Sequence, residues 1–276
     1  MLQVIDGFNQ VCVMAFSVIF GPLRGVPPIW PLLVVSFLTG LLMLRIFGTV
    51  SNQQAIGLIK DRIKGNVIAL RLFRDDPGLI FRIQARIMRD TLAYIRYSLW
   101  PLFIMIGPVL IVMIQLNHHL GTQPLKPREQ TVFKVHVKNS RVLEVPIELI
   151  VPEGLTAETP PVRIAGLNEI AWRIRADAEG EYVVNVRVGG ETIEKKVVVG
   201  DGWRPLSGIR TGRSAVDLLL YPGESPIQSP VVDSVVIRYQ PLPIAVFGWQ
   251  LHWMVLFFVL SVSSGFAFRN LLGVNI

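Results

Sequence analysis

The residue types that do chemistry are sparse in this chain, and none is set in a catalytic pattern. His118 and His119 are adjacent, so their side chains leave any regular element in different directions. No cysteine or carboxylate cluster accompanies them, and they do not read as a metal site. Asp75 and Asp76 precede Pro77, which is the arrangement of a helix cap rather than an acid–base pair. Ser261, Ser263 and Ser264 stand in an apolar run without a plausible base; small residues there, with Gly265, suit close helix packing. There is no phosphate-binding Gly-rich loop, no His-Glu-x-x-His and no nucleophile elbow. The sequence points to no enzyme, no cofactor and no metal. Arg45 is different, because it lies near the end of an otherwise apolar run. A charge at the centre of a bilayer costs about 2.5–3.5 kcal/mol. Two roles fit it: reaching the inner headgroups along its own stem, or facing a water-filled groove whose mouth Ser51, Asn52, Gln53 and Gln54 would line.

The elements that would hold such a groove follow from composition. The chain has 276 residues, of which 51% are hydrophobic and 17% charged, with a mean hydropathy of +0.49. A soluble domain carries about 25% charged residues, so an ordinary soluble enzyme and a disordered chain are both disfavoured. The apolar excess is concentrated in residues 25–44, 97–125 and 239–268, each containing a stretch able to cross a hydrocarbon core of roughly 30 Å. The expected fold is an α-helical membrane protein of three spans. Span one covers residues 29–50, span two residues 98–116 and span three residues 249–268. Trp30, Trp100, Trp249 and Trp253 fall at their boundaries, as aromatic belt residues do. The apolar residues 8–20 are short for a span and end at Gly21-Pro22, so residues 1–30 read as an interfacial or re-entrant segment, not a cleaved leader.

Charge gives the orientation. Of a net +7, +5 sits in residues 51–97, where nine basic residues face four acids. The nine are Lys60, Arg62, Lys64, Arg71, Arg74, Arg82, Arg86, Arg89 and Arg96. Residues 117–248 carry fifteen of each sign. A basic loop between two spans belongs in the cytoplasm, which puts the N-terminus outside and the C-terminus inside, most simply in a bacterial inner membrane. The loop reads as a helical hairpin with basic outer faces. Ile56, Ile59, Ile63, Val67 and Leu70 recur at helical spacing, Asp76 caps a second arm, and that arm runs on into span two.

Residues 117–248 read as an extracytoplasmic all-β sandwich. Residues 131–138 alternate, as do 170–175, and residues 181–188 and 191–199 flank Gly189-Gly190 as a hairpin. A further strand is expected at residues 231–238. Cys12 is the single cysteine, so the sandwich must hold without disulfides.

The order of span one, a basic hairpin, span two, an outer segment and span three resembles the minimal core of the YidC-like insertase superfamily, which includes subunit three of the ER membrane protein complex and its prokaryotic relatives. The resembling residues lie in 31–116, especially Ser51 to Ile56, Lys60 to Lys64 and Leu72 to Pro77, together with residues 249–276. The resemblance implies a non-enzymatic insertase or membrane chaperone that handles membrane-protein clients, with Arg45 as the groove charge. It departs in one respect: the outer domain of the bacterial insertase precedes the core, whereas here residues 117–248 are inserted between spans two and three. A second reading is a structural or interaction subunit of an envelope complex, anchored by its spans and binding a partner through the β domain. Neither reading involves a specific nucleic acid.

Overall fold

A computed structural model describes residues 2–51, 53–73, 76–139, 145–212, 214–246 and 248–269. The chain divides into two compact units. One joins residues up to Leu32 with Met113–Met254; the other joins Leu33–Val112 with residues from Val255 onward.

The helices come first. They are α1 (Leu2–Phe20), α2 (Ile29–Val50), α3 (Gln53–Leu72) and α4 (Pro77–Leu120). Helix α2 thus covers the residues where the hydropathy puts span one. The second arm of the hairpin and span two form the single 44-residue helix α4, which runs through Pro101 and Pro108. Asp76 caps it, its Oδ1 accepting from the Leu79 amide at 3.1 Å. The arms run antiparallel. Asn66 Nδ2 donates to Asp90 Oδ2 at 3.3 Å, Lys60 lies over the Tyr94 ring, and Ile56, Ile59 and Ile83 are buried.

Two expectations are corrected. The N-terminal segment is a 19-residue helix, longer than the apolar run suggested, because Val4 and Ile5 extend the stripe across Asp6. Among the described residues, the helices long and apolar enough to cross a membrane are therefore α1, α2 and α4. The expected third span is a 16-residue apolar helix, α6 (Trp253–Phe268). Its first expected residues instead form strand β13 (Trp249–Leu251), paired antiparallel with β12 (Ile244–Val246). Trp253 is buried at 2% exposure, so it packs in the protein interior rather than in an aromatic belt.

The β-rich region is sandwich-like. One antiparallel sheet has the order β4 (Leu155–Ala157), β6 (Glu169–Ala176), β2 (Gln130–Val137), β10 (Val232–Ile237), β9 (Ile209–Thr211), with β5 (Val162–Ile164) also on β6. The other has the order β3 (Ile147–Ile150), β7 (Gly180–Val188), β8 (Glu191–Val199). The β7–β8 turn uses Gly189 and Gly190 at φ +56° and +86°, the left-handed pair that a two-residue hairpin needs. One apolar core joins the inward faces of both sheets, with Phe133 and Trp172 from the first and Val186 and Val197 from the second. A short strand pair, β1 (Thr122–Gln123) with β11 (Gln240–Pro241), completes the sheets. Between β9 and β10 lies helix α5 (Ala215–Leu220), capped by Ser214.

Candidate functional site

In the unit built from residues 33–112 and 255 onward, α2, α4 and α6 line an open cavity of about 470 Å³. Gly40 sets its geometry. A Cβ there would collide with Ser264 Oγ and the Ser261 carbonyl oxygen, so α2 and α6 meet backbone to side chain along the small residues Gly40, Ser261, Ser264 and Gly265. On the α4 side, Leu102, Met105, Ile106 and Val109 complete the wall. The hydroxyls of Thr39, Ser261 and Ser264 are spent on their own helices. Thr39 Oγ1 donates to Val35 O at 2.7 Å, Ser261 Oγ to Phe258 O at 3.2 Å and Ser264 Oγ to Ser261 O at 2.9 Å. A side-chain proton committed within its helix is unavailable to a guest, so the cavity presents an apolar wall fit for hydrocarbon or an apolar side-chain surface.

Arg45 is exposed on α2 and is not among the residues lining this cavity, whereas its neighbours Met43, Leu44 and Phe47 are. Ser51 is buried beyond the end of α2, and Gln53 opens α3; Asn52 lies outside the described residues. On the hairpin, Arg62, Lys64, Arg71, Arg82, Arg86 and Arg89 are exposed and Lys60 is half-buried; Arg74 lies outside the described residues.

A second hollow, of about 570 Å³, opens in the unit that contains the sheets. Its polar centre is Glu169, 3% exposed, with Lys134 Nζ at 2.9 Å and His136 Nε2 at 3.8 Å. Strand register brings them together, because β2 and β6 place His136 opposite Glu169. Tyr221, Arg238 and His118 also line it, and His118 Nδ1 lies 3.1 Å from Leu206 O. Just inside, Lys195 is fully buried and paired with Glu224. Burial pushes the Lys195 ammonium below its ordinary value, and Glu224 pulls it back up. This arrangement can hold a polar group. Among the described residues, no group of three or more His, Cys, Asp or Glu is placed to hold a metal ion.

Neither hollow was legible as a unit in the sequence. Gly40 carried a weak signal, being a small residue in an apolar run, but its match to Ser261 and Gly265 needs the fold. Glu169 and Lys134 are far apart in sequence and meet only through strand pairing.

No family model and no curated protein matches the chain. Among solved structures, the crystal structure of an S-layer protein, rSbsC(31-844), is similar at 15% identity and a TM-score of 0.24. The match covers 48% of this chain and 22% of that one. A likeness this slight says nothing about function.

Proposed function

We propose that the protein is a non-enzymatic membrane chaperone of the YidC-like kind, gripping an apolar segment of a client membrane protein between α2, α4 and α6. The observation that carries this reading is the open apolar cavity those helices line, in a chain with the order apolar helix, basic hairpin, apolar helix, β-rich region, final apolar helix. The basic hairpin would stand in the cytoplasm beside anionic headgroups, and the sheets outside, most simply at a bacterial inner membrane. An apolar wall favours holding a hydrophobic segment over conducting a polar one, and in this reading Arg45 reaches the headgroups along its own stem.

The test is insertion of a single-span client with a short polar tail into vesicles containing the purified protein. Insertion is expected to exceed that into empty vesicles, to fall several-fold when Val109→Trp fills the cavity, and to be unchanged by Arg45→Leu. A benzophenone residue at Phe258 should cross-link the client's apolar segment. Insertion no better than in empty vesicles, with no cross-link, overturns this reading.

The hollow around Glu169, Lys134 and His136 favours a second reading, a membrane-anchored subunit of an envelope complex. A photoreactive residue at Tyr221 would then capture the same envelope protein repeatedly, while insertion stayed at background.

A further inference from the structure

α1 is 19 residues long, about 28 Å at 1.5 Å per residue, and its apolar stretch is long enough to cross a membrane. Its surroundings show otherwise. We infer that α1 lies flat in the outer membrane–water interface, as an apolar keel fixed to the sandwich, and does not span.

At about 100° per residue, α1 has three distinct faces. Ile5, Asn9, Cys12, Phe16 and Phe20 share one. Asn9 and Phe20 are buried. Asn9 Nδ2 donates to the Leu218 carbonyl oxygen of α5 at 2.6 Å. The Phe20 ring stacks on His119 at 4.5 Å between centroids and meets Trp203 edge-on at 5.7 Å. The second face carries Asp6, Gln10 and Ser17, with Gln10 Nε2 donating to Asp6 Oδ2 at 3.1 Å and Gln10 exposed. The third is the stripe Val4, Phe8, Val11, Met14 and Val18. All five are exposed, with Val11 at 68% and Met14 at 71%.

This pattern fits a bilayer surface better than any other partner. A spanning helix would turn the exposed Asp6–Gln10 pair to lipid, whereas a helix lying in the interface turns it to water and its stripe to the acyl boundary. Asn9, near the middle of α1, is bonded to α5, whose cap holds the Asp217 carboxylate through Ser214 Oγ at 2.8 Å. Spanning would drag that cap to hydrocarbon depth. The chain also leaves α1 for α2 through residues 21–28, and this link is itself pinned to the sandwich, with Trp203 Nε1 donating to Val26 O at 3.0 Å. The stripe is therefore held close to the point where α2 begins, with Trp30 exposed there at headgroup level.

The inference rests on α2 entering a bilayer, and the experiment separates the two. In a Cys12→Ser background, single cysteines replace Val4, Val11, Val18, Gln10 or, as a control in α2, Leu42. Each full-length variant carries a nitroxide and is reconstituted in liposomes, and collisions with oxygen and with an aqueous nickel chelate are measured. Positions 4, 11 and 18 should report one shallow depth favouring oxygen, Gln10 should favour nickel, and Leu42 should report the hydrocarbon. With Leu42 in hydrocarbon, three results overturn the inference alone. These are a depth that changes across most of the bilayer from 4 to 18, free access of nickel to all three, and protection of all three from both reagents, which would mean that a protein covers the stripe. If nickel reaches Leu42, the membrane reading fails and the inference with it.

Discussion

Lys195 is completely buried among apolar neighbours, on the inward face of β8 with Ile193, Val197 and Val199. Its ammonium donates to the Ser207 carbonyl oxygen at 2.6 Å and is paired with Glu224. Strand alternation in the sequence places this lysine inward, but its partner lies on a distant loop and no local pattern announces it. Trp172 is the contrasting case. Alternation with Ile170 and Ile174 assigns it to the core, and it is 4% exposed. Arg45 is a third case: sequence alone leaves two roles open, and the fold shows it exposed on α2 and absent from the lining of the apolar groove. Removing one member of a buried ion pair leaves a desolvated charge, at a cost of about 3–5 kcal/mol, while replacing both with apolar groups is often neutral. Glu224→Gln is therefore expected to lower stability by about 3–5 kcal/mol in denaturant unfolding of the full chain followed by tryptophan fluorescence. Adding Lys195→Met should restore most of the loss. If the single and double variants are equally unstable, the charge pair is not what the Glu224 site supplies.

Among elements, the sequence was most legible where one periodicity ran unbroken. Strands β2, β6, β7, β8 and β10 all lie within a residue of their expected bounds, and the hairpin arms and the continuous α4 fall where expected, although α4 runs on to Leu120, four residues past the expected end of span two. It was least legible at the ends of the apolar runs. Composition cannot separate a helix from a strand over residues 249–251, and there pairing with β12 claimed them. Nor can it tell a spanning helix from one that packs along a domain, and this is why α1 needed its contacts. The approach of α2 to α6 is an element-scale claim with a sharp test. A Cβ on Gly40 meets a backbone oxygen that cannot swing aside, and overpacking of this kind costs about 1–3 kcal/mol. Gly57 of α3 has open space around it, and alanine in an exposed helix is favoured over glycine by about 1 kcal/mol. In unfolding from mixed micelles, Gly40→Ala should destabilise the protein while Gly57→Ala leaves it unchanged or steadier. Equal behaviour of the two would show that α2 and α6 do not touch along this line.

At the scale of the whole molecule, the proposed orientation depends on where the basic residues lie. The hairpin carries the charge excess, the sandwich is neutral, and positive loops remain in the cytoplasm. The sandwich and the hairpin should therefore face opposite sides of one membrane. Gly65, on an exposed stretch of α3, and Glu179, at the start of the β7–β8 hairpin, both tolerate a small side chain. In a Cys12→Ser background, Gly65→Cys should be protected from an impermeant thiol reagent in intact cells and react only after lysis. Glu179→Cys should react as soon as any outer barrier is opened. The reverse pattern would place the hairpin outside and remove the basis of the YidC-like reading, because a chaperone that receives newly made segments needs its basic hairpin on the side where they are made. Labelling of both from the same side would be equally decisive, since an odd number of crossings must separate the two positions. Among the described residues, the stretch from Gly65 to Glu179 contains one helix able to cross, α4, so the experiment tests that crossing directly.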